Sequence, residues 1–283
     1  MQNIYKSENL LYFFYFLSSF LVLSENNVYS WVGEIPKPWE LSQKDLDFYL
    51  QTFHKKYPDF HERLIAMNIW RVGTPYGIFC LGEEKGYDKD PIIRIDTSDC
   101  TVHVLTSIAF SKGKSFNEAR NAMISLHYKP DENGKIEPTY KSRWHFTSDR
   151  LLNHSKTPDI TFRICNPTEL ETIEIELNKK QNGKQFLDLG WTSKELINFI
   201  PLEKVNQNIL NKVPKICGVA FIKKSYFKNG IVIAHEGYLI NRKNLIHASS
   251  KEKMTVNVDF FTYLFEKEKG RFDGVMFYDI KEG

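Results

Sequence analysis

The chain has 283 residues, a net charge of +3 with histidine neutral, and 42% hydrophobic residues. This composition predicts a globular protein with one large domain or two modest ones. Lysine and arginine are scattered rather than clustered along the chain, so the sequence excludes a typical nucleic-acid-binding surface and we expect no nucleic-acid partner.

An apolar run of 14 residues, 10-LLYFFYFLSSFLVL-23, follows Lys6 near the N-terminus. A membrane-spanning helix needs about 20 such residues, so the run is short for one. Val28 and Ser30 then stand at the −3 and −1 positions of a signal-peptidase site before Trp31. We predict a signal peptide over residues 1–30, with a periplasmic or secreted mature chain and no stable membrane insertion after cleavage. An uncleaved signal anchor is the alternative, because the residues before the run are only weakly basic.

The first part of the mature chain, residues 31–72, is predicted to be a helical extension. Ser42 is placed as an N-cap with Asp45 three residues later, a variant of the capping box. A second helix is expected from about residue 59 to 70, and the Gly/Pro cluster 73-GTPYG-77 predicts a turn after it.

The segment 91-PIIRIDTSDC-100 is β-branched and alternating, and it breaks just before Cys100. From Cys100 the apolar spacing becomes helical and closes at Gly113, which is typical of a helix C-terminus. Another helix is predicted to open at Ser115, because Glu118 follows three residues later. Residues 128–158 are polar and are expected to be rich in loops.

The second half of the chain is predicted to consist mainly of strands. Strands return over residues 160–178, and a helix interrupted at Pro201 is expected over 192–212. The remaining predicted elements are strands at 217–222, 231–240, 244–250 and 274–280, with a helix at about 259–269. Helices followed by a mostly antiparallel sheet predict an α+β fold with one domain over residues 31–283.

Cys100 is the first candidate for chemistry. The preceding Asp99 can cap the helix, which places Cys100 in the first helical turn, where free N–H groups and partial positive charge favour a thiolate. The same N–H groups could hold the oxyanion of an acyl-transfer intermediate. A buried structural cysteine is the alternative on this feature alone.

The stretch 235-HEGYLINRKNLIH-247 predicts a β-hairpin that begins and ends with histidine. Pairing around Asn241 would place His235 and His247 opposite or diagonal to each other, within one hydrogen bond. One ring could then serve Cys100 as a base while the other fixes its tautomer. A zinc site and two unrelated histidines are the alternatives, although Glu236 is expected on the opposite face and no third ligand has helpful spacing.

The histidine at position 103 is interpreted as a wall of the site or as a surface residue. Four cysteines are present, and no CxxC pair predicts zinc or redox chemistry. If Cys100 stays free, one disulfide at most can form, and we expect it to join Cys165 and Cys217.

In combination, these features resemble the NlpC/P60 cysteine peptidase superfamily. The matching elements are the glycine–aromatic turn 73-GTPYG-77, the Asp-Cys pair that opens a helix, and His235 followed by His247 in the sequence IHAS. Within that superfamily the chain looks most like the DUF1460 branch of N-acetylmuramoyl-L-alanine amidase-like proteins. The longer segments that carry this likeness are 96-DTSDCTVHVL-105, 115-SFNEARNAMISLHY-128, 140-YKSRWHFTSD-149, 263-YL-264 and 272-FDGVMFY-278.

The resemblance spans roughly residues 60–280 and implies a papain-like fold. It implies that Cys100 is the nucleophile, His235 the base and His247 its orienting partner. It places further residues near the substrate, where an arginine suits a carboxylate of the stem peptide and a tryptophan could stack on a sugar. These substrate-binding residues are Tyr76, Asp99, Tyr140, Arg143, Trp144 and His145. A salt bridge in a structured loop is the alternative for Arg143.

One departure from the family pattern concerns residues 102–105, which read VHVL where an aromatic and then an acidic residue usually stand. The departure leaves the triad intact and concerns only the details of substrate recognition.

The resemblance implies hydrolysis of the amide between the lactyl group of N-acetylmuramic acid and L-alanine in peptidoglycan or muropeptides. We expect no cofactor, no metal and a monomer. A γ-D-glutamyl-diamino-acid endopeptidase with the same triad is the nearest rival enzyme. A non-catalytic peptidoglycan-binding protein and a zinc hydrolase are two further candidate functions.

Overall fold

The computed structural model describes residues 27–283, so the apolar run at 10–23 and most of the predicted signal peptide lie outside the described residues. The chain separates into two compact units, and the boundary follows Pro36. The described part of the first unit contains a 3₁₀ turn at Asn27–Tyr29 and helix α1 at Ser30–Glu34. Within residues 27–283, no helix has both the length and the apolar character that a membrane span requires.

The second unit, Lys37–Gly283, contains eight α-helices, among them the four that the sequence predicted before residue 128. Each of these four begins after a side chain that accepts a hydrogen bond from the backbone N–H three residues later, which is the N-cap arrangement. These caps are Ser42, Asp59, Asp99 and Ser115, and they confirm the predicted helix starts. The helices are α2 (Gln43–Lys56), α3 (Phe60–Trp70), α4 (Cys100–Lys112), α5 (Phe116–His127), α6 (Thr147–Asn153), α7 (Thr161–Ile164), α8 (Gln207–Leu210) and α9 (Phe260–Thr262).

Shorter helical turns connect these elements. A π-helical turn at Tyr263–Lys267 continues directly from α9. The 3₁₀ turns of this unit are Pro38–Glu40, Tyr140–Ser142, Pro167–Glu169, Leu202–Lys204 and Lys224–Asn229.

Seven strands form one antiparallel sheet in the order β1-β2-β7-β3-β4-β5-β6. Helices combined with an antiparallel sheet confirm the predicted α+β class. The strands are β1 (Glu171–Leu177), β2 (Ser193–Pro201), β3 (Ile216–Ile222), β4 (Ile233–Ile240), β5 (Asn244–Ser249), β6 (Met254–Asp259) and β7 (Gly274–Tyr278).

One predicted element is wrong, one strand was missed, and one alternating segment is not a strand. The predicted helix over residues 192–212 begins as strand β2, whose Ile197 faces Ile173 of β1 in the antiparallel register. Strand β6 was not foreseen, and the alternating segment at 91–96 forms no strand. Residues 193–201 and 254–259 form strands because they pair with other segments, and residues 91–96 form none because they have no partner strand. In each case these tertiary contacts outweigh the local residue pattern.

Helix α4 packs against β4 and β5 and is buried from Val102 to Ser111. The hydroxyl of Tyr238 on β4 donates a 2.7 Å hydrogen bond to the Val104 carbonyl of the helix. Side chains alternate along a strand, so Leu239 points to the other face of the sheet, where it joins an apolar cluster. The first turn of α4 is thereby held against β4.

Candidate active site

Cys100 is the first residue of helix α4, as the sequence predicted. The carboxylate of Asp99 caps this helix by accepting a 2.8 Å hydrogen bond from the Val102 N–H. Its second oxygen accepts a 3.0 Å hydrogen bond from the Phe79 N–H. Cys100 is half-buried and free of any disulfide. Its place in the first turn of the capped helix α4 fixes the position of its backbone.

The sulfur of Cys100 lies against strand β4. The backbone N–H of Glu236 donates a hydrogen bond towards it, and Thr101 is a second polar neighbour. The Glu236 N–H belongs to the peptide group that joins His235 to Glu236. The thiol therefore contacts β4 at the residue that immediately follows His235.

The electrostatic surroundings correct one expectation about Cys100. Burial, together with the carboxylates of Asp99 and Glu236, raises the pKa of the Cys100 thiol to about 12. The backbone of Glu236 and the side chain of Thr101 near the sulfur oppose this shift without overcoming it. The resting sulfur is therefore a neutral thiol, whereas the sequence had predicted a thiolate.

The hairpin that carries the two histidines is confirmed. Strands β4 and β5 pair antiparallel, with Tyr238 opposite Ile246. The turn between them places Asn241 and Arg242 at φ +52° and +59°, which are the two left-handed positions of a type I′ hairpin turn. This register places His235 diagonal to His247 across the two strands.

The rings of His235 and His247 are joined by a hydrogen bond between Nε2 of the first and Nδ1 of the second, at 2.9 Å. The strand leaves room for this contact because Gly237 stands opposite His247. A Cβ at Gly237 would come within 2.8 Å of the His247 Cβ. The diagonal pairing predicted from the sequence is thus present, and Nδ1 is the ring nitrogen of His235 that His247 does not use.

Both imidazoles are neutral at neutral pH. His235 is 8% exposed and His247 is 3% exposed. Burial first, and then the neighbouring His247 and Arg271, hold the pKa of His235 well below its usual 6.5. Burial also lowers the pKa of His247 to about 3, so its ring keeps a lone pair that can accept a hydrogen bond.

Aromatic rings surround the histidine pair. Phe221 and Phe272 stack on His235 at ring-centroid distances of 5.5 and 6.3 Å, and Tyr263 lies 4.6 Å from His247. Position 263 belongs to a short segment that carried the family resemblance, but the sequence did not place it in the site. Only the packing of the π-helical turn brings it there.

Glu236 points to the face opposite His235, as predicted, and its side chain is 1% exposed. It pairs with the guanidinium of Arg150 at 2.5 Å and accepts a 2.7 Å hydrogen bond from the Tyr278 hydroxyl. The hydroxyls of Thr101 and Thr147 donate to its other oxygen at 3.1 and 3.2 Å. Through Thr101, these hydrogen bonds to the buried carboxylate support the first turn of α4. No local sequence pattern indicated this network.

Tyr76 lies near the thiol, and its predicted contact with substrate stays a prediction. The chain around it pairs with Ser98, since the Gly77 N–H donates to the Ser98 carbonyl at 3.2 Å. Burial first, and then the nearby Cys100 and Asp99, raise the pKa of the Tyr76 phenol. The turn at 73–77 thus lies against the residues that lead into α4.

The predicted substrate residues Arg143 and Trp144 both contact other side chains of the protein. Arg143 donates to Glu83 at 3.0 Å and to Asp88 at 2.9 Å, so its guanidinium is already paired, as the salt-bridge interpretation supposed. Trp144 is 8% exposed and its ring faces the ammonium of Lys129 at 4.6 Å. The predicted contacts of both side chains with substrate stay predictions.

Tyr140 and His145 contact each other rather than Cys100. The His145 Nε2 lies 2.6 Å from the Tyr140 carbonyl, and the two rings are 4.5 Å apart. Tyr140 also packs at 4.5 Å against the exposed ring of Tyr87. Tyr140 and His145 stabilise the loop that contains Arg143. Their predicted contact with substrate stays a prediction.

Phe79 is a feature of the site that the sequence did not reveal. Its backbone has φ +56°, an unusual conformation for a bulky residue, and its ring is 82% exposed. The hydrogen bond to Asp99 holds this conformation. Strained residues of this kind concentrate at functional sites, and Phe79 stands next to the cap of the helix that carries Cys100.

The predicted disulfide between Cys165 and Cys217 is wrong, because all four cysteines are free. Cys217 is part of the apolar cluster on the sheet and Cys165 packs against it, so both act as apolar side chains.

His103 is fully buried and neither ring nitrogen has a hydrogen-bond partner among residues 27–283, which excludes a surface position. Across the same residues, no group of three His, Cys, Asp or Glu side chains is arranged to hold a metal ion.

The protein has a mixed α+β fold, with a cysteine at the start of a helix and a hydrogen-bonded histidine pair on a hairpin of the sheet. The profile of the N-acetylmuramoyl-L-alanine amidase-like family, AmiA-like, matches residues 68–272. The chain therefore belongs to this family. No curated protein matches the chain.

Solved structures share the fold at low identity. A Legionella pneumophila protein of the DUF1460 family is 22% identical, with a TM-score of 0.67 over 84% of this chain and 95% of that one. An N-acetylmuramoyl-L-alanine amidase from Bacteroides uniformis is 20% identical, with a TM-score of 0.57 over 77% and 97%. A Bacteroides fragilis protein described as a candidate xylanase is 19% identical, with a TM-score of 0.58 over 76% and 99%.

Proposed function

We propose that this protein is an exported cysteine amidase that cleaves the bond between N-acetylmuramic acid and L-alanine in peptidoglycan or muropeptides. The observation that carries the proposal is the His235–His247 hydrogen bond of 2.9 Å on the strand whose Glu236 N–H reaches the Cys100 sulfur. Membership of the amidase-like family supports the substrate class. The NlpC/P60 superfamily and its papain-like fold remain part of this proposal.

The reaction starts from a neutral thiol and a neutral imidazole. As the Cys100 sulfur attacks the lactyl carbonyl carbon, its proton passes to Nδ1 of His235. The Nε2–H of His235 then donates to Nδ1 of His247. Because the pKa of His247 is about 3, this acceptor stays unprotonated and stabilises the imidazolium as it forms.

Collapse of the tetrahedral intermediate breaks the C–N bond. The proton on His235 passes to the departing nitrogen of L-alanine, and a lactyl thioester remains on Cys100. Water, deprotonated by His235, then cleaves the thioester and restores the thiol. The free N–H groups of the first turn of α4 are suited to stabilise the oxyanion in both steps.

Product analysis on a defined muropeptide tests the proposal. The wild-type protein is expected to release a peptide with a free L-alanine N-terminus and a peptide-free sugar, with the same rate in a chelator. Cys100→Ala should abolish release, whereas Cys165→Ala removes another half-buried thiol and should leave the rate unchanged.

Different products would overturn the proposal in distinct ways. A sugar that still carries L-Ala-D-Glu indicates the γ-D-glutamyl-diamino-acid endopeptidase. Loss of activity in a chelator indicates a metal hydrolase. Binding of muropeptide without any turnover indicates a peptidoglycan-binding protein.

Export is a separate proposal that rests on the apolar run at 10–23 and the Val28–Ser30 cleavage motif. Expression in a bacterial host should give an extracytoplasmic protein whose N-terminal residue is Trp31, as read by mass spectrometry. A protein that retains residues 1–30 would indicate a signal anchor instead.

A further inference from the structure

Tyr263 is the aromatic residue whose ring packs against both histidines of the candidate site. Its ring centroid lies 4.6 Å from that of His247 and 6.4 Å from that of His235. Phe221 and Phe272 hold the same ring at 5.5 and 6.2 Å. Four neighbouring rings therefore fix the position of the phenol beside the proposed general base.

The hydroxyl of Tyr263 has no hydrogen-bond partner among the described residues, although the side chain is only 3% exposed. Native structures satisfy most buried hydroxyls, because leaving one unpaired costs stability. An unpaired hydroxyl that the fold retains next to the histidine pair is explained if a bound molecule completes the hydrogen bond.

The hydroxyl belongs to a ring that packs directly on the proposed base and its partner. Burial raises the pKa of the Tyr263 phenol, and Arg271, Glu268 and Cys100 contribute less. The phenol is consequently protonated throughout the working pH range. It can act as a hydrogen-bond donor to an oxygen that becomes negative at Cys100.

The backbone at this position is also unusual. Tyr263 begins a π-helical turn, and its carbonyl accepts a 2.9 Å hydrogen bond from the Glu268 N–H five residues later. Such turns insert one residue into a helix and are frequent at functional sites. Here the insertion follows α9 directly and determines which side chain faces the histidines.

We propose that the Tyr263 hydroxyl donates a hydrogen bond to the carbonyl oxygen of the scissile amide when substrate lies on Cys100. This role rests on the proposed amidase function and adds a catalytic residue to it. The hydrogen bond strengthens as the oxygen becomes an oxyanion, so its contribution is to the transition state more than to substrate binding.

Tyr263→Phe is the direct test, because it removes only the hydroxyl and keeps the ring against His247. We expect kcat to fall by roughly 100-fold, the loss found for single oxyanion donors, with KM changed less than about threefold. The melting temperature should stay the same or rise, because a buried unpaired hydroxyl has been removed.

Thr157→Val is the matched control. The Thr157 hydroxyl is also fully buried and without a partner in the described chain, but it lies in the loop after α6. This variant should show the same change in melting temperature and an unchanged kcat. A Tyr263→Phe enzyme with wild-type kcat, or one that loses kcat only in proportion to a lower melting temperature, overturns the proposal.

Acylation by p-nitrophenyl acetate separates this proposal from the proposed substrate. The acetyl group is expected to appear on Cys100 by mass spectrometry, and the acylation rate should fall in Tyr263→Phe. If the wild type is acylated but does not cleave muropeptide, the proposed substrate fails while the role of Tyr263 is still measured. If both proteins are acylated at equal rates, the role of Tyr263 fails.

Discussion

The buried carboxylate of Glu236 joins the stability of the fold to the chemistry of Cys100. It contacts the Arg150 guanidinium at 2.5 Å, the Tyr278 hydroxyl at 2.7 Å and the Thr101 hydroxyl at 3.1 Å. Arg150 and Glu236 are each 1% exposed. Glu236→Gln keeps the shape of the side chain, removes its charge and replaces one of its two acceptor oxygens by an NH2 donor.

The expected loss of stability is large because Arg150 would remain charged in the interior. Burial works against that charge, and Glu236 together with Tyr278 overcomes the penalty and raises the pKa of Arg150. Removing one partner of a buried ion pair costs about 3–5 kcal/mol. A typical domain has about 5–15 kcal/mol in total, so the variant should fold with a clearly reduced free energy of unfolding.

The same substitution should change the reactivity of the thiol. The Glu236 carboxylate is one of the charges that raise the pKa of Cys100, so Glu236→Gln should lower that pKa. Alkylation by iodoacetamide reports it, because the thiolate is the reactive form. The alkylation rate at slightly alkaline pH should therefore be higher in the variant than in the wild type.

Urea denaturation and iodoacetamide labelling measure the two effects. Glu171→Gln is a matched control, because Glu171 forms a surface ion pair with Lys224 at 2.7 Å. That pair should be worth less than about 1 kcal/mol, and labelling of Cys100 should not change. A Glu236→Gln protein that loses less than about 1 kcal/mol and is labelled no faster would refute the reasoning.

Three further predictions concern the histidines and Phe79. Replacing His247 by leucine removes the acceptor for the His235 N–H and should lower kcat by about 10²–10⁴-fold, whereas His61→Gln should not; equal kcat values would contradict the proposed relay. Phe79→Gly relieves the left-handed backbone and should raise the free energy of unfolding in urea by about 1 kcal/mol, with a higher KM if the exposed ring contacts substrate; a less stable variant would show that the backbone there is not strained. Because burial holds the pKa of His127 well below 6.5, the unfolded chain takes up its proton first as pH falls, and stability should drop below pH 6.5 by about 1.4 kcal/mol per pH unit for each such histidine. His127→Phe should reduce the pH dependence of the free energy of unfolding by the contribution of one histidine, about 1.4 kcal/mol per pH unit. A free energy of unfolding that stays constant over about the first pH unit below 6.5 would contradict the burial argument.

Features that depend on neighbours in the chain were predictable from the sequence. The caps at Ser42, Asp59, Asp99 and Ser115 each act within one helical turn, so composition and spacing were enough to find them. The hairpin was predictable for a similar reason. A short turn fixes the register of two strands, and the register fixes the distance between the two histidines at its ends.

Helix and strand were confused where the tertiary contact outweighed the local pattern. Residues 193–201 have a sequence compatible with a helix, but they pair with β1 and with Gly274 and Val275 of β7. Strand β6 likewise exists because β5 offers it an edge. Such pairing energies come from segments far away in the chain, which a local pattern does not contain.

The sequence by itself determined that a cysteine opens a helix and that two histidines end a hairpin, because both arrangements are local. Only the tertiary structure decided the chemical state of these groups. Burial makes the Cys100 thiol neutral, and it keeps His247 an acceptor. Long-range packing likewise pairs Arg143 with Glu83 and brings the unpaired hydroxyl of Tyr263 to the site. Solvation and long-range contacts set the pKa and the availability of a side chain, and both exist only once the chain is folded.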